Sequence, residues 1–240
     1  MPRFFVPPEQ IDGNKITVTG TDARHIARSL RMAVGDGVCV TDGCGKVFDC
    51  RLTLIRDELC ECEILNEKCE AGAPRVTLFM GYPKGDKLET VVQKAVELGA
   101  ARIVPFESSR CIRRPKAERE AKQTERLARI AAEAAKQCGA AAVAEVSSPV
   151  SFEEMLKEAG KAELALFCYE NEKTLSLAEA LSRGGESVSV VVGPEGGFSP
   201  EEAMRAEEAG LLSVSLGRRI LRCETAPLYA LSVISALLES

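Results

Sequence analysis

The spacing of apolar side chains divides this chain into two textures. Over the first seventy or so residues the period is two. Residues 14–20, NKITVTG, alternate polar and apolar positions, as a half-buried strand does. Residues 38–55, VCVTDGCGKVFDCRLTLI, read as a hairpin that turns at Asp42-Gly43 and Gly45. CECEIL then places Cys60, Cys62 and Ile64 on alternate positions of a further strand. A short helix is predicted over TDARHIARSLRM, residues 21–32, with Thr21 or Asp22 as its N-cap. Short strands joined by tight turns predict a small β-barrel. Ala71-Gly72-Ala73-Pro74 reads as a linker, which divides the chain into domains 1–72 and 73–240.

Beyond the linker, strand and helix alternate. VTLFMG, RIVPFE, ELALFCYE, SVSVVVG and LLSVSLG are predicted strands. Residues 86–99 place Leu88, Val91, Val92, Ala95 and Val96 on one helical stripe, and Gly99 ends that helix. Further helices are predicted over 115–138, 174–182, 200–209 and 226–238. Runs without alternation, such as VSVVV, require burial on both faces, the condition of a parallel sheet. The pattern predicts a doubly wound α/β domain with a mainly parallel sheet behind a β-rich domain.

The chain has 240 residues, 45% of them hydrophobic and 28% charged, a globular balance. Its apolar runs are too short to span a bilayer, and MPRFFVPPEQ has no extended apolar core. A cytoplasmic protein without membrane attachment is expected. Six of the ten cysteines lie between Cys39 and Cys69, yet there is no CxxC pair and only one histidine, His25. No metal is therefore predicted, and the cysteines read as small buried hydrophobes. The formal net charge is −5, a poor global match to a nucleic-acid binder. Residues 110–136, however, carry nine Lys or Arg against four Glu. A local basic face serves a polyanion because screening confines each field to about 10 Å at 0.1 M salt.

Two loops fall where ligands bind in such a sheet, at the carboxyl ends of strands. In GPEGGFSPEE, Ser199, Pro200 and Glu202 form a capping box with proline at the first helical position. Gly193, Gly196 and Gly197 permit a sharp turn and close approach to a ligand. The loop has neither GK[ST] nor GxGxxG, and Glu195 would oppose a bound phosphate. A neutral or cationic ligand suits it better, and a tight turn with no ligand is the plain alternative. The second loop, LGRRILRCETAPLYAL, combines Arg218, Arg219 and Arg222 with one acid, Glu224. Thr225 is placed to cap the last helix. Ile220 and Leu221 either staple the loop to the core or wall a flat ligand.

Taken together, the two loops resemble the paired signature of the RsmE family of SPOUT-class methyltransferases. Other segments agree and cover most of the chain. These are Arg3-Phe4-Phe5-Val6, HIARSLRMAVGDGV, Lys84, Lys94, Glu97-Leu98-Gly99, Ile103–Pro105, and Arg126, Ile130, Glu133-Ala134 and Gln137 of the charged helix. The resemblance implies methylation of N3 of one uridine in 16S rRNA of the small ribosomal subunit. It implies a C-terminal trefoil knot, a PUA-like RNA-binding barrel in front of it, and a homodimer. It implies S-adenosyl-L-methionine bound by Gly193, Pro194, Glu195, Gly196, Gly197, Leu216, Gly217, Ile220, Leu221, Arg222, Glu224, Thr225 and Ala226. One departure stands out: where the family has Gly-Arg and a later proline, this chain has Gly139 followed by Ala140-Ala141-Ala142-Val143-Ala144.

The chemistry required is methyl transfer to a ring nitrogen that first carries a proton. Arg222 is the candidate for stabilising charge on the uracil oxygens, and Glu224 or an ordered water the candidate proton acceptor. RNA phosphates are assigned to Arg3, Arg24, Arg28, Arg31, Arg110, Arg113, Arg114 and Lys116. Three alternatives remain on the residues alone. They are a dinucleotide-dependent oxidoreductase, a non-catalytic ribosome-binding protein, and a SPOUT enzyme acting on another rRNA or tRNA position.

Overall fold

The computed structural model describes residues 1–69, 75–111, 117–172 and 174–238. The chain forms two compact units. One is Met1–Gly72 with Ala135–Val143, the other Ala73–Ala134 with Ala144–Ser240. The linker expected at residues 71–74 lies outside the described residues.

The first unit contains β1 (Arg3–Phe5), β2 (Ile11–Asp12), β3 (Lys15–Thr19), α1 (Gly20–Arg24), β4 (Gly37–Thr41), β5 (Lys46–Ile55) and β6 (Leu59–Cys69). They form one sheet in the order β1-β4-β5-β6-β3-β2. Every pairing is antiparallel except β1 with β4. The expected barrel takes the form of a curled sheet, with no ladder joining β1 to β2. Ile16, Val18, Val38, Val40, Phe48, Cys50, Leu52, Cys60 and Cys62 fill its core. Four of the cysteines, Cys39, Cys50, Cys60 and Cys62, are buried there, and all ten are unbridged. The hairpin turns where the sequence placed it, because the Asp42 carboxylate accepts from Cys44 N at 2.7 Å and Lys46 N at 3.1 Å.

The short helix differs from expectation at its start. α1 begins at Gly20 after Thr19, no side chain caps it, and it continues as a π-turn over His25–Ser29. Asp22 instead accepts from Lys136 Nζ at 3.0 Å. The segment where arginine and proline are missing also has a structural role. Thr41 Oγ1 donates to Ala141 O at 2.6 Å, Val143 N to Gly43 O at 3.1 Å, and Arg3 to Gly139 O. Residues 139–143 thus join the hairpin through backbone groups, for which alanine suffices.

The second unit contains β7 (Arg75–Gly81), α2 (Lys87–Glu97), β8 (Ala100–Glu107), α3 (Ala117–Cys138), β9 (Glu145–Val146), β10 (Val150–Ser151), α4 (Phe152–Ala159), β11 (Leu164–Cys168), α5 (Leu177–Leu181), β12 (Ser187–Val192), α6 (Pro200–Glu208), β13 (Leu212–Val214) and α7 (Thr225–Leu238). The last turn of α3 belongs to the first unit. The sheet order is β10-β8-β7-β12-β11-β13, with β9 on β8, and every pair is parallel. Phe79, Phe167 and Val191 pack with α4 and α6, while Leu78, Leu166 and Val190 on the opposite face are equally buried. Both faces are covered, as the unalternating strands require.

Helix α4, for which no element was predicted, is set by a capping box between Ser151 and Glu154 and by Phe152, Met155, Leu156 and Ala159 on one buried stripe. A second box, Ser176 with Glu179, starts α5. The box anticipated at Ser199 and Glu202 starts α6 with Pro200 at its first position. Glu202 does more than cap. It is 5% exposed, and its carboxylate accepts from Ser199 N at 2.9 Å and from Ser109 N at 2.7 Å. The loop after β8 is thereby tied to the loop after β12.

Glu202→Ala removes a charged acceptor from two backbone N–H groups, so a loss of about 2 kcal/mol in unfolding free energy is expected. Urea denaturation checks this, and a change below about 0.5 kcal/mol contradicts the role.

Candidate active site

The carboxyl ends of β12, β11 and β13, neighbours in the parallel sheet, open onto a cavity of about 530 Å³. Its walls are residues 168–170 after β11, 192–198 after β12 and 215–224 after β13, with Lys87 and Ala226. Every residue assigned to cofactor binding from the sequence lines it, except Thr225. Thr225 is instead the first residue of α7, its N–H donating to Arg222 O at 2.8 Å.

The wall at 193–198 is rigid. Phe198 is 1% exposed, and its ring lies 4.1 Å from that of Phe167. Burying a phenylalanine contributes about 1.5–3 kcal/mol, enough to fix the loop that carries it. A Cβ on Gly81, at the end of β7, would lie 2.5 Å from Pro194. Gly197 has φ +62°, and a Cβ there would collide with the Glu170 carboxylate. Arg110 Nη1 donates to Gly196 O at 2.9 Å. This arginine, assigned to RNA from the sequence, is therefore also a brace for the glycine turn.

The opposite wall is built differently. β13 ends at Val214, three residues before the Gly217 expected from the sequence. The chain then bonds to the segment after β11: Tyr169 N donates to Val214 O, Ser215 N to Leu175 O, and Leu177 N to Ser215 O. From Arg218 to Leu221 no backbone hydrogen bond forms among the described residues. Those groups are available to a ligand or to water. Ile220 is 88% exposed, so it does not staple the loop to the core.

One side chain that the sequence reading overlooked joins the two walls. Lys87 Nζ lies 2.9 Å from Glu195 Oε1 and 3.4 Å from Glu224 Oε2. Glu195 Oε1 also accepts from Lys84 N at 3.0 Å. Cys223 Sγ donates to Glu224 Oε2 at 3.2 Å and itself accepts from Lys87 Nζ at 3.8 Å. Glu195 thus lines the cavity as the partner of Lys87, one ammonium group being shared between it and Glu224. Lys87 sits at the first position of α2, 108 residues from Glu195, and no local spacing could have paired them.

These contacts set the protonation states. Glu195 feels burial, which favours its neutral form. Hydrogen bonds from Lys87 and from backbone N–H groups outweigh it and hold the carboxyl below its ordinary value. Glu224 is likewise held low, first by its own backbone N–H, against burial and with help from Cys223 and Lys87. The Glu195 carboxylate raises Lys87 above its usual range. Burial pushes the Cys168 and Cys223 thiols up to about 12, so neither is a thiolate nucleophile near neutrality. Cys223 and Lys87 both meet the Glu224 carboxylate at Oε2.

The arginines assigned to RNA fall into different settings. Arg24 pairs with Glu58 at 2.6 Å, and Arg28 pairs with Asp57. Arg31 is exposed, with φ +50°. Arg3 is committed to Gly139. Arg113, Arg114 and Lys116 lie outside the described residues. His25, in the first unit, is exposed, its ring centroid 6.3 Å from that of Phe4 in an edge-on arrangement, and it does not line the cavity. No cluster of His, Cys, Asp or Glu suited to a metal occurs among the described residues.

Comparison with known proteins gives the site its context. A model of an RNA methyltransferase domain matches residues 71–235, and one of an RNA methyltransferase PUA domain matches residues 18–65. The ribosomal RNA small subunit methyltransferase E of Bacillus subtilis is 34% identical, with 98% of this chain and 96% of that protein covered. The protein of the same name from Synechocystis is 36% identical, over 99% of this chain and 78% of that protein. The crystal structure of a ribosomal RNA small subunit methyltransferase E from Neisseria gonorrhoeae, bound to S-adenosyl methionine, superposes with a TM-score of 0.79. It shares 32% identity and covers 99% of this chain and 98% of that one. A parallel α/β unit with its cavity between two strand-end loops, behind a PUA sheet, places this chain in the ribosomal RNA small subunit methyltransferase E family.

Proposed function

We propose that this chain transfers a methyl group from S-adenosylmethionine to N3 of a uridine in 16S rRNA of the small ribosomal subunit. The observation that carries the reading is the cavity itself. It holds about 530 Å³, within the usual range for a nucleoside-sized ligand, and it couples a rigid glycine wall to a loop with unpaired backbone groups. The described walls carry no phosphate-binding motif, which suits a cofactor without phosphate. Backbone groups of residues 193–197 and 216–224, with Ala226, would hold the adenosyl and methionyl portions, so that the side chains of Ile220, Arg222 and Glu224 stay free for the RNA. When bound, the cofactor supplies an electrophilic methyl group on a sulfonium centre.

The chain's own residues supply orientation, charge stabilisation and a proton acceptor. The Arg222 side chain is exposed at the cavity and makes no ion pair among the described residues. It is assigned to the uracil oxygens, where negative charge grows as N3 loses its proton. The Glu224 carboxylate, or an ordered water beside it, is assigned to receive that proton. Lys87 is a positioning residue that adds to the backbone N–H in holding the Glu224 carboxyl low and links the two walls. We assign residues 1–72, a PUA-like domain that residues 135–143 join, to RNA binding, and the remainder of 73–240 to methyl transfer. The bonds from 214–215 to 169, 175 and 177 favour the threading of a trefoil knot, and we propose a homodimer and a cytoplasmic location. No described helix is long and apolar enough to cross a membrane.

Calorimetry with S-adenosylmethionine and, separately, with NAD tests the cofactor. Binding of the first alone is expected, and binding of NAD would remove this reading in favour of an oxidoreductase. Arg222→Ala is expected to keep cofactor affinity and lower the single-turnover rate on unmodified small subunits about 100-fold. Glu224→Gln should also retain affinity and lose turnover, and unchanged rates refute both assignments.

Lys87→Met is expected to weaken S-adenosylmethionine binding about three- to tenfold. The pH dependence separates this role from general support. The depressed carboxylates contribute stability that is fully present above their ordinary value of 4.5 and is lost as pH falls through their lower folded values. The acid limb of the wild-type single-turnover profile is therefore expected below pH 4.5. In Lys87→Met it should move upward, because Glu224 loses its countercharge. An unmoved limb contradicts the assignment.

A further inference from the structure

Ile220 is the most solvent-exposed large apolar side chain in the described chain, at 88%. Exposure forgoes about 1.5–3 kcal/mol that burial would contribute, and nothing in the local backbone compensates for it. Its setting is specific. It stands on the loop that walls the cavity, between Arg218 and Arg219 on one side and Arg222 on the other, all three exposed. None of these guanidinium groups meets a carboxylate among the described residues. Arg24, Arg28, Arg102, Arg126 and Arg205 each form an ion pair. The loop tip is therefore an apolar point with cationic shoulders at the mouth of a cavity, on a protein of net charge −5.

A stacked nucleic acid matches that pattern, since its apolar base faces lie between two lines of phosphate. A protein partner matches it less well, because the only other apolar side chain on the tip, Leu221, is half-buried. The chemistry adds a requirement. N3 lies on the Watson–Crick edge, so the uridine must leave its stack before a group in the cavity can reach it. Side chains that open base steps are compact and apolar, isoleucine among them.

We propose that Ile220 is a wedge that enters the stack beside the target uridine and holds the gap open, while Arg218 and Arg219 grip the flanking phosphates. The proposal rests on the methyl-transfer reading above. Ile220 acts on the substrate's conformation and takes no part in the transfer itself. Because the side chain is fully exposed, its replacement leaves the folded core intact.

The test uses the full chain, tritiated S-adenosylmethionine and small ribosomal subunits that lack the modification. Ile220→Ala and Ile220→Asp are expected to lower kcat about 30-fold, with cofactor affinity by calorimetry within about twofold of wild type. Ile220→Met, which keeps an apolar wedge, should return kcat to within about threefold. A 16S rRNA fragment with a fluorescent base analogue beside the uridine should brighten with wild type and not with Ile220→Ala. Arg218→Gln combined with Arg219→Gln should reduce the slope of log affinity against log salt by about 2. If wild type transfers label and Ile220→Ala matches it, or if the analogue brightens equally, the wedge is overturned. If Ile220→Asp dissociates a dimer in sedimentation while kcat per site is unchanged, Ile220 serves a protein interface and the wedge is again overturned. If wild type labels no ribosomal RNA, the methyl-transfer reading itself fails and takes the wedge with it.

Discussion

One ammonium group, Lys87 Nζ, holds together the two halves of the site. It stands 2.9 Å from Glu195 on the glycine wall and 3.4 Å from Glu224 on the opposite loop. Without it, Glu195 would lose its main hydrogen-bonding cation, and burial would act on that carboxylate with less to oppose it. With it, both carboxyls are held below their ordinary value, Glu195 against burial mainly by Lys87 and Glu224 mainly by its own backbone N–H, and one ammonium group touches both loops. The side chains of the Lys87–Glu195 pair are 37% and 26% exposed, so solvent screens the contact. Its value lies in geometry and charge state more than in stability.

The two walls differ in rigidity for identifiable reasons. The glycine wall is nailed down by Phe198 in the aromatic core, by the close approach of Gly81 to Pro194, and by Glu202, which bonds backbone on two loops. The facing wall from Arg218 to Leu221 has no backbone bonds of its own among the described residues and carries its apolar side chain outward. A fixed wall suits a cofactor that must be aligned with a nucleophile. An adaptable wall suits a substrate whose shape changes as it enters.

Much of this was legible in the sequence, and the gaps have physical causes. The parallel sheet was legible because SVSVVV and ELALFC do not alternate, which only double-sided burial explains. The α6 start was legible because Ser199 and Glu202 form a local unit. The same S-x-x-E signal at Ser151 marks α4, and Phe152, Met155, Leu156 and Ala159 fall on one helical stripe behind it, so this helix was legible although none was predicted there. Lys87 was not legible, since its partners lie 108 and 137 residues away and are brought near only by the sheet order. The ion pair of Glu195 was hidden for the same reason: its partner stands at the start of α2, far along the chain. The charges of Arg24 and Arg28, expected to face RNA, are shared with Glu58 and Asp57, which only strand pairing brings beside them.

The central claim is that this cavity places a methyl donor against N3 of an rRNA uridine. Nucleoside mass spectrometry of 16S rRNA, recovered from unmodified small subunits after incubation with the protein and S-adenosylmethionine, tests it most directly. The account predicts one new 3-methyluridine per 16S rRNA. Methylation at another atom, or none with active protein and cofactor present, contradicts it.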